Sequence, residues 1–449
     1  MVKMLLCVDV AIFFSAFALA VSLTVSRELN VNFIGSSVLY IFVCQLSFLG
    51  VGLYKSKLRT KFWGIFRRIL LAIAISLLVL NVLLQFTNNQ LLTMQIIFDS
   101  CLYSFVLSIA VRLILIKFNV LGFAKRNVIV LGAGQRALII ENRMRREIDR
   151  QGFNLLGFIE MPGDLDAEIK SSHKVNIKGS LIDYVIKNQV HEIVVATDER
   201  RATLPVEELF ACKLRGVQVS EILDFFERET GQIAVNLIYP SWVIYSQGFY
   251  SNNDLRNSLD WLFNAGLAVL LFIFTWPLML LTVLAIKMED GWSAPCFYWQ
   301  ERVGLNGKIF NIVKFRSMAV DAEKNGPKWA TTNDDRVTTV GRIIRKYRID
   351  ELPQIYNVIT SDMGFVGPRP ERPEFVDRLN TIIPYYRERH NVKSGLTGWA
   401  QLKYPYGATD DDAVEKLKYD LYYIKHRSFL FDLLILIQTT EIVLFGKGR

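Results

Sequence analysis

The stretch Leu262–Lys287, "LFNAGLAVLLFIFTWPLMLLTVLAIK", decides on which side of a membrane the densest part of this chain lies. It exceeds the ~20 apolar residues that a bilayer core requires. Pro277 sits near its middle, where it removes a backbone hydrogen bond and kinks a helix. Arg256 precedes the stretch, and Lys287, Arg302, Lys308 and Lys314 follow its apolar run. Lys and Arg mark cytosolic flanks. With both flanks cytosolic the segment cannot cross; it must enter and return, with the break at Trp276–Pro277. The other reading is a fifth span with a tolerated proline kink, which would put everything beyond Lys287 outside the cell. The charge rule favours re-entry.

Working toward the N-terminus, four more apolar runs read as membrane spans, about Leu5–Val25, Ile34–Tyr54, Ile69–Phe86 and Leu92–Ile116. The first resembles a signal peptide but lacks a small-residue cleavage site, and another span follows at once. Lys55, Lys57, Arg59, Lys61, Arg67 and Arg68 lie after the second run, "TNNQ" after the third carries no charge, and Lys117, Lys125 and Arg126 follow the fourth. Both ends of this bundle are therefore expected in the cytosol. The 449 residues leave room for two or three domains. A hydrophobic fraction of 51% against 21% charged fits a membrane protein. The net charge of +9 suits an anionic membrane surface or phosphorylated substrates. Nucleic acid is a poor fit, because the basic residues lie beside membrane segments. Five cysteines without a CxxC pair and four scattered histidines suggest neither a disulfide framework nor a zinc site.

Between Lys125 and Gln247 strand-like and helix-like runs alternate, which implies a parallel α/β sheet. Asn127–Leu131 runs into Gly132-Ala133-Gly134, a turn similar to a dinucleotide-binding loop, with Ala137 at the third glycine position. No acid is obvious for a ribose. A short glycine turn is also ordinary in α/β folds, so a structural or regulatory Rossmann-like domain is placed ahead of nucleotide binding at Gly132 and Gly134. At the other end, Phe429–Phe445 holds Asp432, Gln438 and Glu441 and is too polar for a span. It reads as a helix lying in the membrane interface or as a core helix.

The chemistry concentrates around "RIDELPQ", Arg348–Gln354, where Asp350 and Glu351 adjoin a run of Arg336, Arg342, Arg345, Lys346 and Arg348. Pro353 places the acids at an element boundary, near free backbone N–H groups. A carboxylate can attack phosphorus, but it must approach a group of its own sign. Like charges at 4 Å cost about 4 kcal/mol at an effective dielectric near 20. Arginines and a Mg2+ held by carboxylates are the usual remedy. Lys314 and Arg316, two apart, would share a strand face. Arg369 between Pro368 and Pro370 is presented from a stiffened loop and suits phosphate oxygens. Each also reads as an ordinary surface residue. Asp420, among aromatic residues in a helical pattern, is a structural anchor or a second acid near the site.

Taken together, "FYWQERVGLNGKIFNIVKFRSM", "RIDELPQIYNVITSDMGFVGPRPE", "KSGLTGWAQ" and "YDLYYIKHRSFLFDLLIL" resemble the bacterial sugar transferase family, the monotopic polyprenyl-phosphate phosphoglycosyl transferases, over about Leu259–Arg449. The four-span bundle and Rossmann-like domain are similar to its long form, which primes exopolysaccharide or O-antigen synthesis. The resemblance implies a UDP-sugar donor, with Asp350 attacking the sugar-linked β-phosphate and expelling UMP. The covalent aspartyl phosphosugar then passes to undecaprenyl phosphate. It implies Mg2+ positioned by Glu351, the diphosphate neutralised by Lys314, Arg316, Arg345 and Arg369, and a re-entrant helix broken at Trp276 and Pro277. Glucose or galactose is the sugar the long form suggests. One departure is Ser394 where the family often has proline before Gly395-Leu396-Thr397-Gly398, which softens a turn.

The expected architecture is thus a membrane protein, α plus α/β. It has a four-helix transmembrane bundle (1–120), a cytosolic Rossmann-like, CoA-binding-like parallel domain (121–250) and a mostly helical catalytic domain (251–449) with a re-entrant helix at 259–287. The expected location is the bacterial inner membrane, multi-pass, with the catalytic domain on the cytosolic face. Homo-oligomerisation is left open. A membrane-bound nucleotide-sugar epimerase or dehydratase would require a Tyr-x-x-x-Lys pair, and none lies between Lys125 and Gln247. A scaffold of polysaccharide assembly without catalysis is the other alternative.

Overall fold

Helices dominate the chain because its apolar runs are long and seldom interrupted by glycine or proline. The computed structural model describes residues 2–24, 31–54, 62–85, 93–117, 125–144, 150, 152–165, 169, 173–177, 179–199, 204–246, 248–249, 254–320, 335–404, 407 and 409–444. Lys55–Lys61 and the "TNNQ" loop fall outside them. Two compact units emerge, Met1–Thr230 and Gly231–Arg449.

The first unit opens with α1 (Val2–Thr24), α2 (Val31–Gly50), α3 (Phe62–Leu84) and α4 (Met94–Lys117). All four are long and apolar enough to cross a membrane. α1 packs on α2 and α4, and α3 on α2 and α4. α3 begins earlier than the apolar run, so Arg67 and Arg68 are helical and not loop residues; long basic side chains at a helix end reach back to the interface. Phe13, Phe17, Tyr40 and Phe48 fill the interior. Among them lies a closed polar network. Arg112 donates to both oxygens of Asp9, at 2.8 and 2.7 Å, and the Tyr54 hydroxyl donates to Asp9 at 2.6 Å.

The α/β part follows, with β1 (Arg126–Leu131), α5 (Leu138–Arg143), β2 (Phe153–Ile159), α6 (Leu181–Lys187), β3 (Glu192–Val195), α7 (Val206–Leu214), β4 (Gln218–Glu221) and α8 (Ile222–Thr230). The sheet is parallel, in the order β2-β1-β3-β4. Its chain reversal falls between β1 and β3, where ligands of such sheets usually bind.

The second unit holds α9 (Pro240–Tyr245) and α10 (Asp254–Asp290), then the antiparallel hairpin β5 (Phe297–Val303) and β6 (Ile309–Phe315). Next come α11 (Thr339–Lys346), a 3-10 turn at Ile349–Gln354, α12 (Ile355–Ile359), β7 (Gly364–Val366) and α13 (Pro373–Ile382). β8 (Gly395–Thr397), α14 (Trp399–Lys403), α15 (Asp410–His426) and α16 (Phe429–Leu444) complete it. β7 and β8 pair in parallel.

α10 is helical throughout, with Pro277 inside it; the chain does not leave the helix at Trp276–Pro277. Its middle is bare, Phe274 being 74% exposed. Its two ends are not. Ala268 joins a core with Phe310, Ile312, Ile355, Val358 and Phe365. Ile286 joins another with Cys296, Phe315 and Ile344. Both ends of the apolar helix therefore pack on the same body. α16 buries Phe431, Leu434 and Ile435, while Phe429 and Leu430 stay about half exposed and the Phe429 ring meets Phe263 edge-on at 5.0 Å, so one face of α16 belongs to the core.

Candidate active site

Asp350 and Glu351 lie on the 3-10 turn, both buried, each 9% exposed. α11 delivers the chain to this turn through Arg348, whose φ of 58° is left-handed. For a residue with a side chain this backbone costs of order 1–3 kcal/mol and is tolerated where surroundings enforce it. Beneath the turn, the buried Asn357 of α12 bonds to β6 on both sides. Its Oδ1 accepts the Val313 N–H at 3.1 Å and its amide donates to the Asn311 carbonyl at 2.8 Å. That tie holds the turn beside Lys314.

The two acids receive opposite treatment. Glu351 Oε1 meets Arg369 at 2.9 Å, Arg348 at 3.5 Å and Lys314 at 3.6 Å. Burial alone would raise its pKa; Arg369, Lys314 and Arg348 together hold it well below the usual carboxylate range. Asp350 Oδ1 is buried with no hydrogen-bond partner among the described residues. Burial, then the Glu351 charge, push Asp350 up to about 6, against Lys314, Arg348 and Arg345. Lys314 is brought down to about 8 by burial, opposed mainly by Glu351. The pair is therefore one carboxylate fixed as an anion by cations and one left ionisable with an unengaged oxygen. That is the profile of a nucleophile beside an electrostatic anchor.

Arg369 reaches this site from a clamped loop. The Gly367 N–H bonds to the Thr397 carbonyl at 2.9 Å and the Gly395 N–H to the Pro368 carbonyl at 3.0 Å. A Cβ on Gly395 would run into the Gly367 nitrogen, and one on Gly398 into the Gly367 carbonyl. The two glycines of "GLTG" thus let two backbones touch. Ser394 still closes the ladder, its carbonyl accepting the Gly364 N–H at 2.8 Å. From β5, Arg302 donates to the Pro370 carbonyl at 3.0 Å and lies 3.5 Å from Glu371. Burial lowers Arg302 to about 10, with Glu371 opposing.

Asp420 is an anchor at one remove. It accepts from Arg389 at 2.8 Å, and Arg389 donates to the Arg369 carbonyl at 2.9 Å and to the Tyr386 hydroxyl at 2.7 Å. Burial raises Asp420, with Arg389 opposing. Arg345 stands on the last turn of α11 with a buried Nη1 lacking a partner, close enough to act on Asp350. Arg316 is placed elsewhere. Its guanidinium donates to Asp290 at 2.7 Å and to the Pro295 carbonyl at 2.6 Å, which ties β6 to the end of α10. Strand parity put it on the face of Lys314 but could not show that Asp290 claims it. Arg302, Arg389 and Asn357 were not proposed for the site from the sequence, because their roles rest on backbone carbonyls and partners far along the chain; Arg348 was read only as part of the basic run, although its partner Glu351 lies three residues on.

A cavity of about 640 Å³ is lined by Trp242, Trp261, Phe365, Tyr385, Lys393 and Arg427 among others, and neither acid lines it. Volume and chemistry part company here. The cavity offers mostly apolar walls, while the unequal pair of buried acids lies outside its lining.

The glycine turn of the α/β part is already filled. Asp198 accepts the N–H groups of Gln135 and Arg136 at 2.8 and 2.9 Å, and Asp164 that of Ala133 at 2.8 Å. A Cβ on Gly134 would strike the Asp198 carboxylate. The positions at which a pyrophosphate would be cradled by Gly132 and Gly134 are occupied by the chain's own anions.

Comparison with known proteins places the second unit in a family. The bacterial sugar transferase family matches residues 255–446. An Aeromonas hydrophila UDP-N-acetylgalactosamine-undecaprenyl-phosphate N-acetylgalactosaminephosphotransferase is 37% identical over 62% of this chain and 64% of its own length, so the match spans just under two thirds of that relative. A Xanthomonas campestris pv. campestris UDP-glucose:undecaprenyl-phosphate glucose-1-phosphate transferase is 30% identical over 73% of this chain and 68% of its own. A Salmonella typhimurium undecaprenyl-phosphate galactose phosphotransferase is 29% identical over 74% and 70%.

Proposed function

Because the chain belongs to the bacterial sugar transferase family, we propose that it moves a sugar-1-phosphate from a UDP-sugar to undecaprenyl phosphate. In the first step an Asp350 oxygen bonds to the sugar-linked β-phosphorus while the bond from that phosphorus to the bridging oxygen breaks, and UMP leaves with the electron pair. In the second an oxygen of undecaprenyl phosphate bonds to the same phosphorus, the aspartyl–phosphorus bond breaks and the carboxylate returns. The observation that carries this is the unequal acid pair, Glu351 held by three cations and Asp350 left with an unpartnered buried oxygen. Arg369 and Lys314 suit the diphosphate, exchanging part of their hold on Glu351 for phosphate oxygens as charge develops.

Mg2+ fits this donor set. The three cations converge on Glu351 Oε1, which leaves Oε2 and the unpartnered Asp350 Oδ1 as acceptors, and Mg2+ binds through one or two carboxylates together with substrate phosphates. When bound it would neutralise charge on the diphosphate. The chain's own residues bury the acids, hold Glu351 ionised and present Arg369.

The membrane reading follows from α10. Its bare apolar middle between two ends packed on one body supports a helix whose exposed stretch is sunk into one face of a bilayer with both ends on that face, with α1–α4 as spans and the site on the cytosolic face of the inner membrane. There a soluble nucleotide sugar and a lipid phosphate meet. Priming of exopolysaccharide or O-antigen synthesis is the proposed role. The named relatives differ in the sugar they carry, and the site geometry does not choose among them.

Membranes carrying wild-type or Asp350→Asn protein, supplied with radiolabelled UDP-sugars and undecaprenyl phosphate, test the proposal. Labelled lipid and a trapped labelled protein are expected from the wild type only. Transfer unchanged by Asp350→Asn overturns the covalent route and favours a scaffold associated with another enzyme.

A further inference from the structure

The C-terminal end of α10 grips the helix that leads to Asp350. Glu289 lies on the last turn of α10, and its two oxygens accept the N–H groups of Thr339 and Val340, at 2.7 and 3.0 Å. These are first-turn donors of α11, which have no partner inside their own helix. The next donor, Gly341, is taken by the Thr338 side chain at 2.9 Å. The following residue repeats the tie, since Asp290 holds Arg316 at 2.7 Å. Between these ties Ile286 and Ile344 share a core with Cys296 and Phe315, and Ile349 and Leu352 of the catalytic turn pack against it. α11 is only eight residues long, so a fixed N-terminus fixes its far end. That far end carries Arg345 and then the left-handed Arg348.

We propose that Glu289 is a positioning residue. It transmits the seating of the membrane helix α10 to Asp350 by setting the position of α11 and with it Arg345. This rests on the transferase reading above. The chain of contact runs from α10 through Glu289 to the start of α11, and from the end of α11 to the nucleophile. An exposed glutamate at a helix end serves ordinarily as a cap; what sets Glu289 apart is that it caps a different helix, one that ends at the reacting acid. Because Ile349 and Leu352 of the turn pack on the core that holds Ile344 of α11 and Ile286 of α10, loosening the start of α11 displaces the turn that carries Asp350 and slows the chemical step more than it weakens substrate binding.

The test measures kcat and KM for UMP release by wild type, Glu289→Ala, Arg345→Ala and the double variant. All are full-length in the same lipid nanodiscs, with thermal unfolding recorded for each. Glu289→Ala is expected to lower kcat about tenfold, a decade less than a ~1 Å misplacement can cost. The KM for the UDP-sugar should stay within about twofold. In the Arg345→Ala background the same substitution should add little, since both act through the seating of α11. Losses that add fully, or a KM that rises with kcat unchanged, would mean that Glu289 does not position the turn through α11, and the proposal falls. A wild type that releases no UMP from any UDP-sugar would instead overturn the transferase reading.

Discussion

Asp350→Asn should abolish capture of the phosphosugar and at the same time make the protein more stable at neutral pH. Burial and Glu351 raise Asp350 from 3.8 to about 6, so its carboxylate is disfavoured by roughly 3 kcal/mol in the folded state. The folded state binds this proton more tightly than the unfolded one. Stability from this group is therefore greatest below about pH 4, falls as pH rises toward 6, and is flat above it. Asparagine keeps the shape without the charge, so its gain over wild type should be about 3 kcal/mol at pH 7.5 and close to nothing at pH 4. Taking the difference between the two proteins removes the opposing titration of the buried His390, which burial lowers to about 4. The assay is thermal unfolding of both proteins in one membrane mimic at pH 4, 5, 6 and 7.5. A destabilised variant, or a gain that does not shrink with acid, would refute the idea that the nucleophile is held at the expense of the fold.

Arg389→Met should destabilise the second unit by roughly 3–5 kcal/mol, since it strands Asp420 without its buried partner; chemical unfolding and transfer activity should fall together. Gly395→Ala should cut transfer by at least tenfold with the fold retained, because the added methyl must push Gly367 and hence Arg369 away from Glu351; thermal unfolding alongside UMP release separates the two effects. Titration of the wild type with NAD is expected to show no binding, since Asp198 and Asp164 already hold the N–H groups of the Gly132 turn; saturable binding that Asp198→Glu abolishes would show that the carboxylate yields to a nucleotide. Cysteine-accessibility labelling at Asn306 should find it on the cytosolic side of membrane vesicles.

What could be read from the sequence was what depends on neighbours in the chain. Hydropathy located α1–α4 and α10 because a span is a property of consecutive residues. "RIDELPQ" drew attention to Asp350 and Glu351 because adjacent acids beside a basic run are visible locally. The rest was hidden by distance. Asp198 fills a glycine turn 62 positions upstream, and no local pattern announces that a turn is already occupied. Arg316 shares strand parity with Lys314, but its partner Asp290 is set by where a long helix stops. Arg348 is conspicuous only once its backbone is seen to be left-handed. Asn357 and the glycines of "GLTG" act through main chains, which residue types do not advertise.

The buried pair of Asp9 and Arg112 carries a consequence for biogenesis. The two residues are separated by 103 positions, at the start of the first helix and the end of the fourth. During synthesis Asp9 is made long before its counter-ion exists, and an unpaired acid within a membrane helix costs up to roughly 2.5–3.5 kcal/mol on insertion scales, the most at the helix centre. The bundle is therefore incomplete electrically until its last helix arrives. A chain cut short before residue 112 thus carries Asp9 without the guanidinium that holds both its oxygens in the finished bundle.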